Sequence, residues 1–221
     1  MDSFVTMAEI DAATNAVKGK LSTLPRIGLV LGSGLGGLAD DVKSPVSIPF
    51  SEIPHWPVST IQGHAGRLVI GDLYGVPSMV MQGRVHYYEG YPMDRVTFPI
   101  RVMQRMGIEI IILTNAAGAI NPDYVPGDVM LIVDQINLVG MAGLNPLRGP
   151  NLEAFGERFP DMSHPYDPGL MKLARSVAVK EGIHLHEGIY VCLSGPSFES
   201  PADLRFLQRI AQFEPGRRAR A

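Results

Sequence analysis

Residues 27–37 read IGLVLGSGLGG. An apolar run short enough for a buried strand breaks here into a turn holding four glycines, with Pro25 just ahead of it. Strand-length apolar runs recur at 67–71, 76–81, 108–113, 129–133 and 188–193. Helical patterns lie between or before them. Residues 1–20 read as a helix. Residues 92–107 put Val96, Ile100, Val102, Met103 and Met106 on one broad face, with Asp94 placed to cap the start. Residues 168–181 carry Leu170, Leu173 and Val177 among Lys172, Arg175 and Lys180. Strand, helix and strand in succession predict an α/β fold with parallel or mixed pairing. Residues 140–167 lack any period and hold prolines at 146, 150, 160 and 165, which suits a functional loop or interface element.

The chain has 221 residues, 46% hydrophobic and 19% charged, and one domain over 1–221 is the default at this length. A formal charge of -3, with its basic residues spread along the chain, argues against nucleic acid as a partner. Cys192 is the single cysteine and cannot close an intrachain disulfide, so a reducing compartment is the simplest setting. The acidic N-terminal segment MDSFVTMAEIDAA and the absence of a long apolar run point to a cytoplasmic protein without a membrane partner.

The glycine turn satisfies GxGxxG, but a dinucleotide site also needs an acidic residue closing a second strand. Glu52 has the spacing and lies instead in the proline-broken PFSEIPHWP, and the turn has no lysine for a nucleotide phosphate loop. Two readings remain. Converging amides and the Ser33 hydroxyl make a nest for one phosphate-sized anion, or the glycines only make a tight turn.

A cation for such an anion stands in MQGRVHYYEGY, residues 81–91. The planar fork of Arg84 matches two phosphate oxygens. In an extended segment Arg84, His86 and Tyr88 share one face and line one pocket wall; otherwise they are a hydrated arginine, a satisfied histidine and a contact tyrosine. His64, between glycines in QGHAGR, is placed to cover the anion. His55 with Trp56 suits loop packing or a lid. His184 and His186 share a strand face without the partners of a zinc motif, so no metal site is expected.

TNAAGAIN at 114–121 closes another strand with side chains small enough for close substrate approach, and Asn115 either orients a neighbour or satisfies its own turn. In SGPSFESP at 194–201, Phe198 offers a flat surface and Glu199 a carboxylate beside it, suited to a heterocycle with ring N–H groups; the plainer reading is an exposed turn.

In order and spacing, GLVLGSGLGGLA (28–39), GRVHYYEGY (83–91), TNAAGAINP (114–122), GDVMLIVDQINL (127–138), NPLRGPN (145–151) and SGPSFESPAD (194–203) resemble the trimeric purine nucleoside phosphorylases of the 6-oxopurine class. The resemblance covers about residues 20–210. It implies a nucleoside phosphorylase-like fold with a mixed, strongly twisted central sheet flanked by helices. The implied activity is reversible phosphorolysis of purine nucleosides to free purine and α-(deoxy)ribose 1-phosphate, with phosphate as co-substrate and no cofactor. Ser33, His64, Arg84, His86 and the Ala116 amide would bind phosphate. Tyr88, Phe198 and Glu199 would hold the nucleoside, with Phe159 lent by the neighbouring subunit of a homotrimer. His86 and Glu199 are the implied catalytic side chains.

Family members continue past residue 203 with a methionine-serine pair, a purine-binding asparagine and, in many, a histidine near the sugar 5'-hydroxyl. None can be assigned here, and residues 211–221, AQFEPGRRARA, read as an atypical tail. The C-terminal part is therefore expected to be incomplete and this chain to have little or no activity. Two alternatives stand beside the main reading: a 5'-methylthioadenosine phosphorylase, and a noncatalytic nucleoside-binding or assembly subunit.

Overall fold

The computed structural model describes residues 4–60 and 65–211. The chain divides into two compact units, one of residues 1–117 with 144–158, the other of 118–143 with 159–221.

The first unit is built on a mixed five-stranded sheet of β1 (Ile27–Leu31), β2 (Lys43–Pro49), β3 (Arg67–Leu73), β4 (Val76–Gln82) and β5 (Ile110–Leu113), in the order β2-β3-β4-β1-β5. Strand β1 runs parallel to both β4 and β5, whereas β2, β3 and β4 pair antiparallel. The continuous apolar runs have their expected cause: Met79, Val80 and Met81 of β4 are all buried, so both faces of the strand are covered. Strand β2 has no counterpart in the sequence reading, because KSPVSIP carries two prolines, Pro45 and Pro49, and its apolar alternation is limited to Val46 and Ile48. It pairs at the sheet edge with a register shift between Lys43 and Val46.

Helix α1 (Met7–Lys18) starts on a capping box in which Thr6 Oγ1 accepts from Glu9 N, and Glu9 accepts from Thr6 N. It buries Ile10, Ala13 and Val17 in a core shared with Trp56, Phe98 and Met103. The helix expected over 92–107 is two helices, α2 (Met93–Val96) and α3 (Phe98–Met106), which meet at Thr97. Pro99 causes the break, since its ring has no N–H to continue the ladder and would crowd the carbonyl four residues earlier. Asp94 does not cap; its Oδ2 accepts from Val5 N at 3.0 Å. Phe98 and Pro99 join the core beside the expected Val102, Met103 and Met106.

The irregular 140–167 segment holds two short helical turns, Gly140–Leu144 and Glu153–Phe155. Its middle belongs to the first unit, where Leu152 and Phe155 pack on the core and the Arg101 guanidinium donates to the Pro146 carbonyl.

In the second unit β6 (Val129–Asn137) and β7 (Leu185–Cys192) form a parallel pair. Helix α4 (Pro168–Glu181), capped by Asp167, joins them, and α5 (Pro201–Ile210) follows. Leu170, Leu173 and Val177 of α4 stay exposed, while Ala178 is buried. No described helix is long and apolar enough to cross a membrane.

Gly32 fixes how closely β1 and β5 exit together. A Cβ there would stand 2.7 Å from both the Asn115 Cα and the Thr114 carbonyl oxygen, a backbone clash that no rotamer relieves. Gly32→Ala is expected to lower stability in urea by about 1–3 kcal/mol, the usual cost of overpacking. An unchanged urea midpoint would show that the two exits are not locked together.

Candidate active site

Because β4, β1 and β5 are parallel neighbours, their C-terminal ends open on one rim of the sheet. The register sets Leu31 beside Gln82 and Val30 beside Leu113. The segments that leave this rim are the Ser33 glycine turn, Gly83–His86 and Thr114–Ala116. An open α/β sheet commonly binds ligands at such strand ends.

Three polar links hold the rim. Thr114 Oγ1 donates to the Val30 carbonyl at 3.0 Å and accepts from Gly32 N at 2.8 Å, tying the start of the glycine turn to the end of β5. Gln82 Nε2 donates to the Gly36 carbonyl at 2.8 Å, while its Oε1 accepts from Arg67 Nε at 2.7 Å. The Arg84 guanidinium reaches back to the Leu31 carbonyl at 3.3 Å. Arg84 therefore lies beside the glycine turn and bonds the residue that precedes it. The turn continues as a 3-10 helix over Gly36–Asp41, and no α-helix follows it, which removes the structural partner a dinucleotide site requires.

Residues 84–88 do not stay extended. Strand β4 ends at Gln82, and Tyr87–Glu89 form a 3-10 turn. His86 and Tyr88 nevertheless meet, not by strand alternation but by stacking, with ring centroids 4.8 Å apart and planes 11° from parallel. Glu89 makes this turn. Its side chain is only 2% exposed, and it accepts from His86 N at 2.7 Å, Ser59 Oγ at 2.8 Å and Thr60 N at 2.9 Å. Burial pushes its carboxyl up, but the bonds from Thr60, Ser59 and His86 outweigh that and hold it at about 2. As a carboxylate it can only accept, so the His86 Nδ1 at 3.0 Å carries a hydrogen toward it.

Of the other expected site residues, Ser33 and Ala116 are exposed on the rim and Tyr88 is 43% exposed. Asn115 uses its amide locally, donating to the Ala116 carbonyl at 3.2 Å. His64 lies outside the described residues. Phe198, Glu199 and Phe159 belong to the second unit; Phe198 is 96% exposed, Phe159 85%, and Glu199 half-buried. Trp56 is loop packing, stacked on Phe50 at 5.4 Å and edge-on to Phe98 at 6.3 Å, while His55 approaches Glu9 at 3.5 Å. His186 has a carboxylate partner after all, Asp128 at 3.0 Å. His184 falls just before β7, edge-on to the His186 ring. Among the described residues no group of three His, Cys, Asp or Glu side chains could hold a metal ion.

Sequence reasoning missed Thr114, Gln82 and Glu89. For Glu89 a signal existed: a glutamate three residues after His86 has the spacing of a capping box.

Residues 26–212 match the phosphorylase superfamily, and the chain belongs to it. The match runs through both units. Within the superfamily it falls among the purine nucleoside phosphorylases. It is 52% identical over 199 residues to purine nucleoside phosphorylase 1 of Geobacillus stearothermophilus, covering 90% of this chain and 72% of that protein. A Schistosoma mansoni purine nucleoside phosphorylase in complex with hypoxanthine superposes with TM-score 0.89 at 41% identity, over 95% of this chain and 75% of that one. Isoform 2 of the S. mansoni enzyme, in complex with cytosine and ribose-1-phosphate, gives TM-score 0.89 at 38% identity, over 96% and 75%.

Glu89→Gln turns an amide toward donors that need an acceptor. It is expected to cost about 2–3 kcal/mol in thermal unfolding at neutral pH. Since the folded state holds Glu89 below an ordinary carboxyl near about 4.3, its contribution is present above that value and is lost as the pH falls toward about 2. The gap between the two proteins should therefore close in acid. An equal gap at pH 7 and below pH 3 would contradict the charge-based account.

Proposed function

We propose that the reaction this chain's site is built for is reversible phosphorolysis of purine nucleosides, inosine and guanosine with their deoxy forms, to free purine and α-(deoxy)ribose 1-phosphate; the little or no turnover expected of this chain from its sequence is a separate question, which the assay below decides. The observation that carries this reading is the rim: an arginine bonded beside a serine-glycine turn, with the exposed backbone of Ala116 leaving the adjacent strand. Relatives in complex with hypoxanthine and with ribose-1-phosphate support it, because these are the two kinds of product the reaction releases.

In this reading Ser33, Arg84, His86, the Ala116 amide and His64 hold inorganic phosphate. Tyr88 contacts the sugar, and Phe198 with Glu199 holds the purine. Phe159 serves the neighbouring subunit of a homotrimer, for which its exposure suits it. As the C–N glycosidic bond lengthens, positive charge grows on the sugar and the purine departs with the bonding pair. A phosphate oxygen then forms the new bond to the anomeric carbon from the opposite face, which inverts the centre. Arg84 and the amides keep the phosphate aimed at that carbon, and Glu199 accepts a hydrogen bond from the purine ring. His86, oriented through Nδ1 by Glu89, presents Nε2 to the phosphate. No metal or organic cofactor enters these steps. We place the protein in the cytoplasm as a single family domain, a setting that suits a lone cysteine with no intrachain partner.

Phosphate-dependent release of hypoxanthine from inosine tests the reading. Arg84→Ala is expected to lower kcat/KM for phosphate by about a hundredfold. Arg84→Lys should recover only part, because a point charge cannot replace the planar fork. Release that needs no phosphate, or is indifferent to Arg84, would contradict the assignment.

A further inference from the structure

Residues 58–60 belong to no strand or helix, yet the turn that follows His86 holds them at two neighbouring points. They leave the core directly, since Trp56 is buried against Phe50 and Phe98 and Pro57 comes next. Facing them is the 3-10 turn Tyr87–Glu89, closed by Gly90 N donating to the Tyr87 carbonyl at 3.1 Å. Gly90 has a φ of 96°, a left-handed conformation that favours glycine, and Tyr91 after it turns back to Val58. The Tyr91 hydroxyl donates to the Val58 carbonyl at 2.9 Å and accepts from Val58 N at 3.3 Å, so one side chain takes up both backbone groups of that residue, as a paired strand would. The next two residues serve Glu89. Its Oε2 accepts from Ser59 Oγ at 2.8 Å and from Thr60 N at 2.9 Å, with Thr60 Oγ1 at 3.4 Å. Its Oε1 faces His86, accepting from the backbone N at 2.7 Å and lying 3.0 Å from Nδ1. All of these groups lie in the first unit.

We propose that Tyr91 is a positioning residue for His86: by seating residues 58–60 it lets Ser59 and Thr60 hold Glu89, and Glu89 in turn fixes the imidazole with its hydrogen on Nδ1. Two constraints then act on one ring. Tyr88 sets its plane by stacking 11° from parallel, and Glu89 decides which nitrogen carries the hydrogen. A carboxylate gripped by one oxygen alone can still turn about its side-chain bonds. Donors on the second oxygen remove that freedom, and they stay in reach only while 58–60 is seated. Burial pushes the Glu89 carboxyl up, and the Thr60 amide and Ser59 hydroxyl lead the bonds that bring it down to about 2, as donors to a charged carboxylate should. An imidazole without such a partner populates both neutral tautomers, and a change of tautomer exchanges an acceptor for a donor at Nε2. The consequence for phosphate rests on the reading that His86 binds it; the consequence for the ring does not.

Nitrogen nuclear magnetic resonance of the full chain labelled at histidine, in solution alkaline enough to leave the ring neutral, reads the tautomer of His86. Calorimetric titration with inorganic phosphate at neutral pH reads its effect on the ligand. In the unaltered chain the hydrogen should sit on Nδ1. In Tyr91→Phe, which loses only the hydroxyl, the tautomer ratio should move about threefold toward Nε2–H, and phosphate affinity should fall by about the same factor, the worth of one ordinary hydrogen bond. Ser59→Ala should do the same with the Tyr91 bonds intact, and Ser59→Thr, which keeps a hydroxyl donor, should restore both; neither depends on the folding of Tyr91→Phe. A tyrosine with a merely structural role would lower thermal stability and leave the ring's signals in place. Unchanged tautomer signals in Tyr91→Phe or in Ser59→Ala would overturn the proposal, as would a hydrogen on Nε2 in the unaltered chain. A shifted tautomer with unchanged phosphate affinity would overturn its link to the ligand. An unaltered chain that takes up no phosphate would instead strike the phosphate reading of His86 and leave the ring's signals to decide the role of Tyr91.

Discussion

The hydroxyl of Thr114 joins two strand ends through opposite uses of one oxygen, donating to the carbonyl of β1's Val30 and accepting from Gly32 at the start of the glycine turn. Everything proposed at the rim depends on this junction. The backbone N–H of Thr114 donates to the same Val30 carbonyl at 3.0 Å and continues the pairing of the two strands, while the hydroxyl adds the hold on Gly32 that ties the turn carrying Ser33 to the loop carrying Ala116. Parallel pairing supplies the direction, since only parallel strands end on the same side. Gly32 supplies the closeness, because any side chain there would meet the backbone of Thr114 and Asn115.

Around that junction the polar links form a short hierarchy. Gln82 holds the far side of the glycine turn and is itself held by Arg67. Arg84 touches the carbonyl before the turn. Glu89 gathers His86 together with Ser59 and Thr60, which come from a distant part of the sequence. These links pair polar groups of the segments that follow the strands, so the same bonds that hold the sheet's rim also orient the groups that would meet an anion.

Much of this was legible in the sequence because burial on both faces writes a continuous apolar run, as in Met79–Met81, and because glycine clusters mark strand exits. Strand β2 was not legible: an edge strand with two prolines and a register shift has little pattern to read. The break at Thr97 was missed because apolar periodicity survives across it, while Pro99 supplied the signal that periodicity does not weigh. The pairing of Tyr88 with His86 was expected for the wrong geometric reason, since a 3-10 turn, not strand alternation, stacks the rings. Thr114 and Gln82 left no local mark, for their partners lie tens of residues away and only the sheet order brings them near.

In the proposed function the ends of β4, β1 and β5 together grip one inorganic phosphate. Backbone amide chemical shifts, followed by nuclear magnetic resonance as phosphate is added, test it most directly. The account predicts saturable changes clustered at residues 33–36, 84–86 and 115–117, with the remainder of the five-stranded sheet unmoved. Changes confined to other surfaces, or none at saturating phosphate, would contradict it.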